Sequence, residues 1–145
     1  MARVLNASIT TPLQTKAEEL QRCDLVGFGS GIYAYRHALS LFDLIDRLPQ
    51  VNGKKAFIFS TTGAPIVFGE SALAKALEQH TPFRKKLQSK GYVILDEFLC
   101  AGYNTNKFLK YFGGLNKGRP NPEDLQRAEE FALKLKQGLE SQSTV

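Results

Sequence analysis

The stretch Asp24 to Tyr33, DLVGFGSGIY, decides the fold that the sequence predicts. Apolar and small residues run into Gly29-Ser30-Gly31, and a run this short that ends in glycines indicates a buried strand rather than a helix. A continuously apolar strand has cover on both faces, as parallel strands of α/β sheets do. Ligands of such sheets lie outside the carboxyl ends of the strands, so Gly29 to Tyr33 is predicted to be a ligand-binding loop. The alternative is that the glycines only turn the chain from strand into helix.

Two later stretches repeat this pattern of an apolar strand followed by a small polar loop. Ala56 to Phe59 leads into Ser60-Thr61-Thr62-Gly63, and a strand over Tyr92 to Cys100 leads into Ala101-Gly102-Tyr103-Asn104-Thr105. Within the third strand, Asp96-Glu97 marks a break or an edge position. The three predicted loops supply glycines, hydroxyls, backbone amides and tyrosine rings, but no His, Asp or Glu. This composition favours a flat aromatic ligand and lacks a general base.

Helices are predicted between and after the strands. The first runs from Ala38 to Leu48, and others cover Ser71 to Gln79 and Thr81 to Gly91, with Thr81 as N-cap. Asn121 caps the last helix, whose predicted buried stripe comprises Leu125, Ala128, Phe131, Ala132, Leu135 and Leu139. Strands and helices that alternate in this order predict an α/β, doubly wound parallel sheet.

Composition indicates a single globular domain over residues 1–145. The chain has 43% hydrophobic and 23% charged residues, and no apolar run is long enough to span a membrane. The absence of a signal pattern favours a cytoplasmic location. Cys23 and Cys100 are far apart and are expected to be buried free thiols, with no metal site. The net charge of +5 is spread over predicted helix faces and element ends, which argues against nucleic-acid binding.

The N-terminal residues are harder to assign. Val4 and Leu5 fit the end of a helix, and residues 7 to 10 fit a short strand. Thr11 and Pro12 then start a predicted helix or helical turn that ends at about Arg22.

Taken together, these stretches resemble the flavodoxin family, in particular its small flavodoxin-like members, from about residue 7 to 137. The similarity lies in DLVGFGSGIY, in KKAFIFSTTG, and in the run Cys100 to Leu125 that contains GGLNKGRPNPEDL. The resemblance implies five parallel strands in the order 2-1-3-4-5. It also implies noncovalently bound FMN, used for electron transfer with redox partner proteins.

The resemblance further implies which residues contact the flavin. Tyr33 is the candidate stacking ring over the isoalloxazine. The full set of implied cofactor contacts comprises Gly29, Ser30, Gly31, Ile32 and Tyr33 beside the ring, and Ser60, Thr61, Thr62 and Gly63 at its edge.

One part of the family pattern has no counterpart. The family begins with a strand and a loop whose backbone amides hold the FMN phosphate, whereas Met1 to Leu5 aligns with the tail of the following helix. The predicted sheet is therefore truncated at its N-terminus, with an open edge at Leu25 to Phe28. Three explanations stand: native sequence lies upstream of Met1, residues 7 to 10 close the edge, or another chain covers it, as a homodimer or as an N-terminal complement.

Two functions follow from these observations. The first is an FMN-binding electron-transfer protein. The alternative is a flavin-free scaffold that dimerises or docks a partner through its exposed sheet edge. A hydrolase with Ser30 or Ser60 as nucleophile is disfavoured, because His37 and His80 lie in separate segments and no GxSxG motif is present.

Overall fold

The structure, a computed structural model, describes residues 1–64, 70–105 and 107–143. Its strands are β1 (Val26–Tyr33), β2 (Arg36–His37), β3 (Lys54–Thr62) and β4 (Tyr92–Ala101). Its α-helices are α1 (Ala2–Leu5), α2 (Ala17–Arg22), α3 (Leu39–Arg47), α4 (Glu70–Leu77), α5 (Thr81–Ser89) and α6 (Pro122–Ser143). Two 3-10 turns cover Glu78–His80 and Lys107–Phe112.

The strands form one sheet in the order β2-β1-β3-β4. The β1, β3 and β4 strands are parallel, and β2 pairs antiparallel with the end of β1. The α3 and α5 helices pack on one face of the sheet and α6 packs on the other. The predicted α/β class and its parallel sheet are confirmed, although the described residues form four strands rather than five.

Two of the three predicted loops, Gly29 to Tyr33 and Ser60 to Gly63, are wrong in their boundaries, because β1 continues to Tyr33 and β3 to Thr62. Gly29 to Ile32 pairs in parallel register with Phe59 to Thr62. Gly29 makes this pairing possible, because a Cβ there would lie 2.2 Å from the ring of Phe59. The glycines therefore neither form a loop nor start a helix. Those at alternate positions of β1 leave room for phenylalanine rings of the neighbouring strand.

The larger core lies between the sheet and α3 and α5. Its members are Val26, Phe28, Leu41, Leu44, Ile45, Leu48, Ala56, Ile58, Phe83, Leu87 and Tyr92. Phe83 is fully buried and contacts the rings of Phe28 and Phe42 edge-on. On the other face, Phe131 of α6 packs against Phe57 and Phe98. The sheet is thus covered on both faces, as its apolar strands predicted.

The helix boundaries largely follow the predictions. Gly91 ends the α5 segment with φ of +87°, as a C-terminal glycine does. Thr81 is the first residue of α5 rather than its N-cap, because the preceding 3-10 turn runs directly into the helix. At the start of α6, the side chain of Asn121 accepts from the N–H of Asp124, and that of Asp124 accepts from the N–H of Asn121. This reciprocal cap confirms the predicted start of α6.

The predicted buried stripe of α6 is only partly correct. Ala132 and Leu135 are buried, but Leu125 is 59% exposed. The reason is that Leu125 faces a groove of about 1890 Å³ along the edge of β1, which Leu5, Leu20 and Phe57 also line. No described segment fills this groove.

The open edge of β1 is present as predicted. Among the described residues, the side of β1 opposite β3 is paired only at Ile32 and Tyr33, with β2. Residues 7 to 10 form no strand, so they do not close the edge. The helical end at Leu5 is confirmed, whereas the predicted helix from Thr11 is a turn followed by α2.

The two cysteines differ in their surroundings. Cys100 is a buried free thiol on β4, whereas Cys23 is exposed, because the chain leaves α2 at that residue before it enters the sheet. The prediction of two buried thiols is therefore wrong for Cys23. Within the described ranges, no helix combines the length and apolar character needed to span a bilayer.

Candidate functional site

The carboxyl ends of β1, β3 and β4 meet at one edge of the sheet, which we call the ligand edge. Parallel register places Ile32 beside Thr62, and Thr62 beside Ala101. The two stretches predicted to bind a ligand, Gly29 to Tyr33 and Ser60 to Gly63, are thereby brought together. The ligand edge comprises Gly31–Tyr33, Thr61–Gly63 and Ala101–Asn104, and none of these residues carries a charged side chain.

Hydrogen bonds tie the ends of β3 and β4 together beyond the sheet. The N–H of Gly102 donates to the carbonyl of Thr62 at 2.8 Å, and Nδ2 of Asn104 donates to the carbonyl of Gly63 at 3.2 Å. Nδ2 of Asn116 bonds the carbonyls of Ala64 (3.0 Å) and Gly102 (3.2 Å). These two amides hold the ligand edge in one arrangement, which is what a preformed site requires.

A tight hairpin carries two exposed tyrosines at the β1 end of this edge. Ala34 and Tyr35, which join β1 to β2, both have positive φ, at 49° and 65°. Non-glycine residues in this region cost about 1 to 3 kcal/mol each, and such strain concentrates at functional sites. Tyr33 is 61% exposed and Tyr35 is 81% exposed. The ring of Tyr33 lies over Gly31, where a Cβ would be 2.9 Å from it.

Not every predicted site residue offers its side chain to a ligand. The hydroxyl of Ser30 donates to the carbonyl of Gly31 (2.7 Å) and accepts from the N–H of Ala38 (3.1 Å). The hydroxyl of Thr62 accepts from the N–H of Ala64 at 3.2 Å. These two hydroxyls fix local backbone. The backbone of Thr61 and Thr62 is paired within the sheet on both sides, so the edge offers a ligand its glycine surface, its tyrosine rings, the hydroxyl of Thr61 and the backbone of Gly63.

Ser60 belongs to a buried polar cluster behind the ligand edge. Its Oγ lies 2.6 Å from Nε2 of His80, and Nδ1 of His80 lies 2.9 Å from Oε2 of Glu97. Arg84 completes the cluster through a bidentate contact with the Glu97 carboxylate, in which its Nη2 lies 2.9 Å from Oε2 and its Nε bonds Oε1. His80 is fully buried and Ser60 is 3% exposed.

Two members of the cluster, Glu97 and Arg84, have shifted pKa values. Burial alone would raise the pKa of Glu97, but hydrogen bonds from Arg84 and His80 outweigh burial and lower this pKa to about 2. The Glu97 carboxylate in turn raises the pKa of the Arg84 guanidinium. Arg84 and Glu97 are therefore a persistent ion pair, and His80 is held between this pair and a hydroxyl.

His37 lies against the same cluster and is only 1% exposed. Its ring stacks on Phe83 with centroids 4.6 Å apart, and its centroid is 4.8 Å from that of His80. Within the part of the chain that the structure describes, neither of its ring nitrogens has a hydrogen-bond partner. Burial, followed by the proximity of His80, lowers the pKa of His37 to about 4. His37 is therefore neutral at pH 7.

The position of Glu97 depends on an irregularity in β4. Ala56 pairs with Ile94 but Phe57 pairs with Asp96, so Leu95 is passed over in the register. This shift turns Glu97 to the face of His80 and leaves Asp96 to pair with Lys134 at 2.7 Å. The prediction that Asp96-Glu97 marks a break or an edge is confirmed, since β4 is also the last strand of the sheet.

The buried cluster was missed by sequence reasoning, which placed His80 in a segment of its own. One signal was available: a carboxylate in the middle of an apolar strand needs a buried partner. The sequence of contacts Ser60–His80–Glu97 resembles that of a hydrolase triad. Ser60 lies within β3 and is almost fully buried, however, so a substrate cannot reach its hydroxyl. Within residues 1–64, 70–105 and 107–143, no three His, Cys, Asp or Glu residues are grouped to bind a metal ion.

A relative with a closely similar sequence is known. The chain is 46% identical over 132 residues to the uncharacterized protein MJ0298 of Methanocaldococcus jannaschii, and the match spans 91% of this chain and 82% of that protein. The chain belongs to the family of MJ0298. No protein-family model matches this sequence.

Several solved structures are similar to this chain in fold, although their sequence identity to it is low. A flavodoxin from the domain Archaea has a TM-score of 0.59 at 14% identity, with 96% of this chain and 85% of that chain covered. General stress protein 14 from Treponema denticola, in complex with FMN, has a TM-score of 0.57 at 13% identity, with coverages of 91% and 74%. An NADPH-quinone reductase from P. pentosaceus has a TM-score of 0.58 at 13% identity, with coverages of 92% and 84%. These similarities establish a flavodoxin-like fold.

Proposed function

We propose that the chain binds the ring system of a flavin at the ligand edge and acts as an electron-transfer protein. The observation that carries this proposal is the convergence of three strand ends that present glycines, a threonine hydroxyl and exposed tyrosines without charged side chains. A flat ring with hydrogen-bonding edges is the ligand class that suits such a surface. The shared fold with an FMN complex supports the same class.

The groups at the ligand edge fit a flavin ring better than a flavin phosphate. The hydroxyl of Thr61 and the backbone of Gly63, which follows the last paired residue of β3, would bond the ring edge, and Tyr33 or Tyr35 would stack on its face. The bound flavin would supply the redox chemistry, while the protein orients it and tunes its potential. The described residues of this edge include no lysine or arginine, so a phosphate gains no charge-assisted hydrogen bond from their side chains.

The test compares two ligands that differ only in the phosphate. Titration of the purified chain with FMN and with riboflavin, followed by flavin fluorescence, is expected to give saturable 1:1 binding of both. We expect the two Kd values to agree within about threefold, because a charge-assisted bond to the phosphate would change Kd by tenfold or more. A chain that binds neither compound contradicts the proposal, and a strong preference for FMN contradicts the ring-based account of it.

Gly31→Val tests where the flavin binds. A side chain at Gly31 displaces the ring of Tyr33 and blocks the approach of a ligand to the backbone. We expect Kd for riboflavin to rise by at least about 30-fold, which corresponds to the loss of one or two well-made contacts. Gly138→Ala on α6, where an added Cβ meets nothing within 4 Å, is the control and should leave Kd unchanged. Unchanged affinity in Gly31→Val would show that the ligand edge is not the site.

The open edge of β1 supports a second candidate function, a scaffold that dimerises or docks a partner. The glycine-rich edge from Val26 to Gly31 has no strand partner within the described residues on the side away from β3, and unpaired edges favour addition of a strand. Light scattering after gel filtration, at chain concentrations between 10 and 200 μM, separates the candidates. A dimer that binds no flavin supports the scaffold, whereas a monomer that binds flavin contradicts it.

A further inference from the structure

The hydrogen bonds of the buried cluster fix which nitrogen of His80 carries a proton. The Glu97 carboxylate is ionised and therefore only accepts, so Nδ1 of His80 must be the donor in their 2.9 Å contact. In the neutral ring, Nε2 is then an acceptor, and the hydroxyl of Ser60 donates to it at 2.6 Å. A second proton on His80 can be carried only by Nε2, and it reverses the bond to Ser60.

The net charge of the cluster changes only through His80. The groups that face it are Glu97 from β4, Arg84 from α5 and His37 from β2. Arg84 and Glu97 cancel, and burial keeps His37 neutral. Lys75 and Glu78, on α4 and the 3-10 turn after it, are exposed to solvent. The cluster is therefore neutral or carries one positive charge, according to the state of Nε2.

This variable charge lies close to the ligand edge. Ser60 precedes the last residue of β3, Thr62, by two positions, and a strand rises about 3.3 Å per residue. These two residues span about 7 Å, and at an effective dielectric of about 20, unit charges about 10 Å apart shift each other's equilibria by roughly tenfold. A negative charge gained at the ligand edge is thus felt strongly at Nε2 of His80.

We propose that His80 takes up one proton when the group bound at the ligand edge gains negative charge, with Glu97 and Ser60 acting as positioning residues for its imidazole. This inference rests on the proposed function, in which that group is a flavin. When an external reductant reduces the bound ring and the ring gains one net negative charge, Nε2 takes up one proton from the solvent, and no covalent bond of the protein is broken. Proton uptake of this kind makes electron transfer dependent on pH.

The decisive measurement follows the imidazoles directly. The chain has only two histidines, so NMR of the imidazole carbon and nitrogen nuclei shows two sets of signals. The set that disappears in the His37→Phe variant belongs to His37, and the other belongs to His80. In the riboflavin complex, the midpoint of His80 titration is expected to rise by at least one pH unit, a tenfold gain in proton affinity, when the flavin is reduced with dithionite. A midpoint that moves by less than about 0.3 unit overturns the inference, even though flavin binds.

A second measurement uses the reduction potential of bound riboflavin between pH 5.5 and 8.5. The potential of the wild type is expected to fall with pH more steeply than that of His80→Gln, by the equivalent of up to one proton per flavin reduced, at pH values between the His80 midpoints of the oxidised and reduced complexes. Lys86→Gln is the matched control, because it removes a charge from α5 outside the cluster and should keep the wild-type slope. Equal slopes in the wild type and His80→Gln overturn the inference.

The two proposals fail in different ways. If the wild type binds neither riboflavin nor FMN, the proposed function fails and the role of His80 fails with it. If flavin binds but reduction leaves His80 unchanged, only the role of His80 fails. Should His80→Gln not fold, the NMR titration of the wild-type complex still decides the question.

Discussion

Gly91→Ala is expected to destabilise the fold by about 4 kcal/mol or more, since a backbone clash and an unfavourable φ act together at one position. Gly91 has φ of +87°, and a Cβ built on it would lie 1.7 Å from the carbonyl oxygen of Val51. This oxygen belongs to the backbone and has no free rotation by which to move away. The clash can be relieved only if the two segments separate.

The segments in question are held together by backbone hydrogen bonds. The N–H of Val51 donates to the carbonyl of Lys90 at 2.9 Å, and the N–H of Gly53 donates to the carbonyl of Gly91 at 3.0 Å. These bonds join the start of β3 to the turn that leads into β4. Separation of the segments loses both bonds and disturbs the first residues of the sheet.

Gly53→Ala is the matched control for this prediction. Gly53 also has positive φ, at +69°, but an added Cβ meets nothing within 4 Å. Only the conformational cost of about 1 kcal/mol applies there. Urea unfolding of both variants, monitored by circular dichroism, measures the difference in their free energies of unfolding. Similar destabilisation of the two variants would show that the contact with Val51 is relieved cheaply.

The sequence predicted the elements of this fold better than their ends. Apolar runs identified the cores of β1, β3 and β4, and the cap at Asn121 located the start of α6. The predicted end of β1 is wrong because local propensity places glycines in turns, whereas β1 continues to Tyr33. Gly29 is compatible with a strand because the ring of Phe59 covers it, and this contact joins residues that are distant in the sequence.

The site was predictable to a similar extent. The convergence of Gly31 and Thr61 follows from parallel topology, which the order of strands and helices indicated. The partners of Ser60 did not follow from it. His80 is 20 residues away from Ser60, and Glu97 faces His80 only because the register shifts at Leu95. A bulge of this kind changes which side chains face inward, and no local pattern in β4 specifies its position.

His37→Phe is expected to make the chain more resistant to acid. The pKa of His37 is about 4 in the folded chain and about 6.5 in an unfolded one. Between these values the unfolded chain binds more protons, so folding stability decreases as the pH falls from 6.5 to 4. Relative to neutral pH, this difference in pKa lowers the free energy of unfolding by about 2 kcal/mol at pH 5 and by about 3 kcal/mol at pH 4.

Phenylalanine at position 37 removes this dependence and keeps the stacking on Phe83. It also removes two buried nitrogens that have no partner among the described residues, so stability at pH 7 should rise by about 1 kcal/mol or more. Urea unfolding at pH 7.0, 6.0 and 5.0 measures both effects. Glu97 does not interfere there, because its pKa of about 2 confines its contribution to lower pH. Gly53→Ala, which changes no titratable group, should show the wild-type pH dependence. If His37→Phe shows it as well, then the His37 imidazole accepts its proton in the folded chain at no cost, through a partner that stabilises its charged form.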